Sequence, residues 1–298
     1  MGLSALGAAH PDRGKIKPAL YLRTRFERRI WFCTAWCQEG VHQMFASRVE
    51  RIALDYLGDP EGKLLRNLSA VAASGRDHEY LWTAADEDRS LECLKREGAG
   101  YRLHDQVHLD EFFKHLAKKH NADEGLREAD IESLAMHDGF LWVCGSHCRV
   151  RQKPKPSPGD MPGVQRVVHK LRARPSRHLL GRVRLSDDGG GLVGKGEHLP
   201  FEKQGTLCGY LADSTFLGPF LQLPSKENGL DIEGLALTDR GTVLLGLRGP
   251  LVDSFAVVVE LAFPKKLSLK GGNPHLETAA SFKASKYFKV PNPFYFIP

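Results

Sequence analysis

Short apolar runs separated by turn residues set the pattern of this chain from Leu68 onward. Leu68-Ser-Ala-Val-Ala72 is followed by a turn over 74–78 and a second run, Tyr80-Leu-Trp-Thr-Ala-Ala85. Two such runs, rich in aromatic and β-branched residues and bridged by a turn, predict a β-hairpin. The same layout returns over 130–145, turning at His137-Asp138-Gly139, and over 231–247. Further strands are expected at 181–185 and 255–263, with short apolar segments at 207–212 and 216–223. Residues 49–57 predict a strand running into a turn at Gly58-Asp59-Pro60. One stretch has helical spacing instead. Leu109, Phe112, Phe113 and Leu116 recur every three or four residues, with acids at the start and Lys118, Lys119 and His120 at the end, so a helix is expected over 109–120. Four prolines exclude a regular element over 149–162, and 164–172 reads as a strand or short helix.

Two of the hairpins repeat one another. Asp130-Ile-Glu-Ser-Leu-Ala135 and Asp231-Ile-Glu-Gly-Leu-Ala236 lie 101 residues apart, and the match continues ungapped to Gly145 and Gly246. A third, weaker copy places Asn67 and Ser69 where the others have their acids. Repetition of one supersecondary unit predicts a fold built from stacked or radial copies. The fold class expected is therefore all-β: a β-propeller-like repeat of antiparallel sheets with one helical insertion, 109–120. A β-sandwich is the alternative, but it gives no reason for the repeat. At about 40–50 residues per blade, copies 101 residues apart fall two blades apart, and the first copy lies one blade plus the insertion before the second. Residues 1–45 receive no assignment, 46–263 form the propeller-like domain, and 264–298 are a divergent tail.

Charge changes this picture locally. The formal net charge is +6, yet residues 149–178 hold nine Lys or Arg against one acid, Asp160, which is +8 and leaves −2 for the remainder. That segment has no interleaved aromatic residue to stack on bases, which argues against nucleic acid. The same charge would steer an acidic or phosphorylated small molecule. The longest apolar runs are too short to span a bilayer, and the start lacks an apolar core of signal-peptide type, so a cytoplasmic compartment is expected. Of the six cysteines, Cys33/Cys37 and Cys144/Cys148 are each separated by three residues rather than the two of common zinc motifs, and ordinary reduced thiols are expected.

The strings around both repeats carry a resemblance. Asp-Ile-Glu-Ser-Leu-Ala with Phe140-Leu-Trp-Val-Cys-Gly-Ser-His147 and Arg149-Val-Arg-Gln-Lys-Pro-Lys-Pro156, and Asp-Ile-Glu-Gly-Leu-Ala with Leu244-Leu-Gly-Leu-Arg-Gly-Pro250, are similar to the bacterial proteins grouped as domain of unknown function 3616. The resemblance covers about residues 60–263 and implies a propeller-like fold with no settled activity. More loosely, the chain resembles esterase-like phytase and calcium-dependent lactonase propellers, which implies acidic residues where inner strands meet a channel. The pattern ends near residue 264, a blade sooner than the resemblance implies, so an incomplete ring is expected.

Candidate chemistry follows from the repeated acids. Residues two apart on a strand share a face, so Asp130 with Glu132, and Asp231 with Glu233, should each aim two carboxylates one way. Four converging carboxylates would suit calcium, a hard cation taking six to eight oxygens. The plainer reading is that these acids cap turns and recur because the blade recurs. Asp86 and Glu87 are weaker candidates. His147 and Arg248 occupy equivalent places after the second and third hairpins, one suited to a general base, the other to holding an oxyanion. No nucleophile elbow, phosphate loop or dinucleotide fingerprint is present. Two functions remain: a calcium-assisted hydrolase of carboxyl esters or phosphoesters, or a non-catalytic binding or scaffold propeller.

Overall fold

The computed structural model describes residues 30–33, 49–59, 61–113, 116, 128–151, 171–201, 206–252, 255–262, 281–283 and 287–288. Strands β1 (Ile30–Cys33), β2 (Val49–Asp55), β3 (Leu68–Ser74), β4 (Tyr80–Ala85), β5 (Ser90–Glu97) and β6 (Gly100–His108) form the first sheet, ordered β1-β2-β6-β5-β4-β3. β7 (Ile131–His137) and β8 (Phe140–Gly145) follow. The small pair β9 (Arg149–Arg151) and β10 (Leu171–Ala173) comes next, and β11 (Leu180–Leu185) and β12 (Leu192–His198) complete a second sheet ordered β12-β11-β8-β7. The third sheet contains β13 (Asp231–Leu237), β14 (Val243–Val252), β15 (Phe255–Ala262), β16 (Ser281–Lys283) and β17 (Tyr287–Phe288), the last two both pairing with β15. All pairings within β3–β6, within β7–β12 and within β13–β17 are antiparallel. The N-terminal β2 adds to β6 in parallel.

The first strands of the three antiparallel units lie side by side: β3 and β13 each pack against β7. This is the blade order of a propeller, and among the described residues there are three blades. The strand β8 shows why the blades cohere. Its side chains alternate. Leu141 and Val143 join Trp82, Leu91, Phe113 and Ile131 on one face, while Trp142 and Cys144 join Leu180, Leu211, Ile232, Val243 and Val259 on the other. A strand buried on both faces reads as one continuous apolar run, which is what Leu141–Gly145 is. The outer face of the first blade is closed by Tyr56, Leu81, Leu94 and Tyr101, with Leu64 and Leu65 of α1 (Lys63–Arg66) against them.

Four expectations change. The 101-residue repeat joins consecutive blades, since β7 and β13 are neighbours. The spacing is long because β9–β10 and a helical insertion sit between them. That insertion is α3 (Leu207–Ala212), with a 3-10 turn Gly218–Gln222, where only apolar segments were expected. Thr206 caps it, accepting from Gly209 N at 2.9 Å. The helix expected over 109–120 is a single turn, α2 (Leu109–Phe112). Phe113 leaves it at φ −116°, ψ 80° to enter the core, and 114–115 and 117–120 lie outside the described residues. Residues 149–151 form β9 because the first proline of that segment, Pro154, comes later. The rest of the segment, and residues 164–170, lie outside the described residues. No helix among the described residues is long and apolar enough to cross a membrane.

Candidate functional site at the blade junction

The repeated motif is a bulge. In β3 the partners step from Leu68↔Ala85 to Ala70↔Ala84, in β7 from Ile131↔Gly145 to Ser133↔Cys144, and in β13 from Ile232↔Leu247 to Gly234↔Gly246. One residue is left over each time: Ser69, Glu132 and Glu233. A bulged residue has no ladder partner and its side chain is re-aimed, a device found beside active sites. Simple alternation therefore does not align the acid pairs. Asp130 precedes β7 with left-handed backbone, φ 52°. Asp130 and Asp231 turn inward, 9% and 1% exposed, while Glu132 and Glu233 stay partly accessible.

Blade-to-blade bonds bring these ends together. Ile232 N donates to Ser146 O at 2.9 Å, and Ala129 N to Asp88 O at 3.1 Å. In the degraded copy, Ser69 donates to the Ile131 carbonyl of the next blade, and Asn67 donates to Glu87 at 3.0 Å. The first copy has exchanged its carboxylates for a staple to its neighbour. It nevertheless contributes an acid: Asp86, just past the end of β4, sits close enough to Asp130 to feel its charge.

Five carboxylates, Asp86, Asp130, Glu132, Asp231 and Glu233, thus meet at one end of three adjacent strands. Two guanidinium groups answer them. Arg248 pairs with both Asp231 and Glu233, with its own side chain 55% exposed. Arg177, nearly buried, pairs with Asp130 at 2.8 Å and with Glu128. Asp130 also accepts a bond from Ser146 Oγ. Glu132 makes no hydrogen bond or ion pair among the described residues. Burial, then the charges of Asp130, Glu233, Asp231 and Asp86, push its carboxyl from 4.5 up to about 8. Burial raises Asp231 to about 6 against the pull of Arg248, with Glu233 adding to the rise. Burial and the charge of Asp130 also raise Asp86, whose Oδ1 is enclosed without a hydrogen-bond partner.

The four carboxylates proposed for calcium are thus brought together, but not as a ligand set. Among the described residues, no group of three or more His, Cys, Asp or Glu is placed to hold a metal ion. Arg177 and Arg248 occupy the positions of the counter-charge. The donor set does not fit calcium, and none of the four is assigned as a metal ligand. His147 is likewise not at the cluster. It is 2% exposed, its Nδ1 lies 2.9 Å from Gly145 O, and its ring stacks on His178 with centroids 5.6 Å apart. Burial, then His178, lowers it to about 3, which leaves a weak base with no route to solvent. Arg248 is at the cluster, held by the acids of its own blade. The thiols of Cys93, Cys144, Cys148 and Cys208 are free. The basic segment is partly neutralised, Arg151 reaching Glu227 at 2.7 Å and Arg174 and Arg177 sharing Glu128. Arg177, Glu128 and Ser146 were missed as site residues because their partners lie up to 49 residues away.

Three solved structures are similar: a protein from Lactobacillus plantarum (10% identity, TM-score 0.33, 80% of this chain and 46% of that one), a candidate 6-phosphogluconolactonase from Bacteroides uniformis ATCC 8492 (9%, 0.35, 88% and 55%), and the PQQ-bound aldose sugar dehydrogenase of Streptomyces coelicolor (12%, 0.29, 78% and 57%). The chain spans about half the length of each. No curated protein matches. The family model described as Protein of unknown function (DUF3616) matches residues 67–280, a span holding β3 to β15 and every acid of the cluster, and the chain belongs to that family.

Proposed function

We propose that the blade junction is the active site of a hydrolase acting on carboxyl or phosphate esters by general acid–base chemistry. The observation that carries this is Glu132: a partly accessible carboxyl with no ion pair among the described residues, surrounded by four other acids and holding its proton near neutral pH. Two carboxyl groups with titrations pushed apart are how a site divides acid and base roles. Glu132 donates to the leaving oxygen. The Asp231–Glu233 pair, held by Arg248, faces it as the side that takes a proton from water. The exposed guanidinium of Arg248 is placed to meet an oxyanion. His147 positions the chain after β8 and takes no proton.

The test is turnover on a panel of carboxyl and phosphate esters across pH 5–10. Activity is expected to fall as pH rises through about 8, and Glu132→Gln is expected to lower kcat by about 10²-fold or more with the fold intact. No turnover on any ester by the folded protein would sink the proposal. That outcome favours the second reading, a binding propeller, which draws support from the engagement of both arginines in ion pairs.

A further inference from the structure

We propose that Arg177 is a positioning residue for Glu132, acting through Asp130. This deepens the reading of Glu132 as proton donor and rests on it for any consequence in turnover. One guanidinium reaches three groups: Nη2 donates to Glu128 Oε1, and Nη1 lies 2.8 Å from Asp130 Oδ2 and 3.0 Å from Cys148 Sγ. Glu128 and Asp130 lead into β7, and Cys148 follows β8. The backbone of Arg177 joins the same ends, its carbonyl accepting from His147 N at 3.1 Å. A planar fork can serve several acceptors at once, as a lysine ammonium on a flexible stem cannot.

The side-chain contacts of Asp130 fall on Oδ2: Arg177, Ser146 Oγ and, at 3.8 Å, Cys148 Sγ. The carboxylate is fixed from one side, on a residue whose backbone is already in the left-handed region. Asp130 is the leading charge acting on both Asp86 and Glu132. The groups that bear on Glu132 come from every neighbouring element: Asp86 from the end of β4, Asp130 from ahead of β7, Cys144 from β8, Asp231 and Glu233 from β13, and Arg248 from β14. Arg248 answers only the β13 acids by direct pairing. Arg177 therefore decides where the remaining charge, that of Asp130, stands relative to Glu132.

The experiment follows the Glu132 side-chain carboxyl carbon by NMR through a pH titration of the full chain, with Glu132→Gln giving the assignment. Asp130→Asn and Arg177→Gln are each expected to lower the Glu132 midpoint by about one unit or more. A like charge at close range is worth that much, and without Arg177 the Asp130 carboxyl is no longer held at its place beside Glu132. A midpoint unchanged or raised in either folded variant overturns the proposal. If Arg177→Gln does not fold, Arg177→Lys, which keeps the charge but loses the planar fork, decides by the same criterion. The readout needs no turnover, so an inactive wild type removes the hydrolase reading and leaves this result standing.

Discussion

At the scale of single residues, the cluster has a consequence for stability. Folded Glu132 keeps a proton up to about pH 8 that the unfolded chain releases near 4.5, so its contribution is full below 4.5 and is lost as pH rises to 8. His147 acts in the opposite sense. It refuses above about 3 the proton that the unfolded chain accepts near 6.5, so stability falls as pH drops below 6.5. Asp231 is half-titrated at about 6 in the folded state. Above about pH 7 the titrations of Asp231 and of the unfolded-state His147 are largely complete, and from there to about 8 Glu132 is the group of these three that still changes. Melting temperature is expected to decline across that window, and Glu132→Gln should flatten the decline. An undiminished slope in the variant would show that the proton resides elsewhere. The presence of acids at these positions was legible in the sequence, because two motifs matched in ungapped register. Their state was not, because burial and the charges brought by other blades decide it, and Arg177 stood in the sequence only as one more positive charge.

At the scale of elements, the strand content and hairpins followed from short apolar runs bridged by turn residues, and Tyr80–Ala85 and Phe140–Gly145 formed where those runs placed them. The helix over 109–120 failed as a forecast because Phe113 serves the core between the first two blades, and tertiary packing outweighed spacing. The same apolar spacing suits a one-turn helix whose next residue is pulled inward. The bulges were also invisible, since a leftover residue shows only once both strands are paired. Gly145 shows how tightly the ends are drawn: a Cβ there would overlap the Arg177 carbonyl oxygen and press on Ala129 O at 3.1 Å. Gly145→Ala is expected to destabilise the protein and to weaken the Arg177 contacts with it. Chemical denaturation, read beside Gly139→Ala in an open turn, measures the first effect. Equal losses in the two variants would refute the crowding, although Gly139 carries its own strain at φ 74°.

For the whole molecule, the strand β8 ties both interblade cores into one body. Trp82 belongs to the core on one side and Trp142 to the core on the other, and both are almost fully buried. Truncating either to alanine is expected to cost about 3–5 kcal/mol. Because β8 supplies side chains to both cores, the three blades should unfold together. Far-ultraviolet dichroism and tryptophan fluorescence are expected to give coincident denaturation curves, in wild type and in both variants. Two separated transitions would show blades that melt independently. The blade order itself was misjudged from spacing alone, since 101 residues suit two plain blades as well as one blade with insertions. Only the packing of β3 and β13 against β7 distinguishes them.

The shared bulge has a consequence for how such a chain can change. Residues within a ladder answer to a cross-strand partner, so altering one disturbs its mate. Ser69, Glu132 and Glu233 are skipped by the ladder, and each stands at the same address in its blade. The address behaves as a socket: a serine there fastens two blades, and a glutamate there equips the junction. Chemistry at this end of the molecule can be added or withdrawn one blade at a time, with the sheets that support it left as they are.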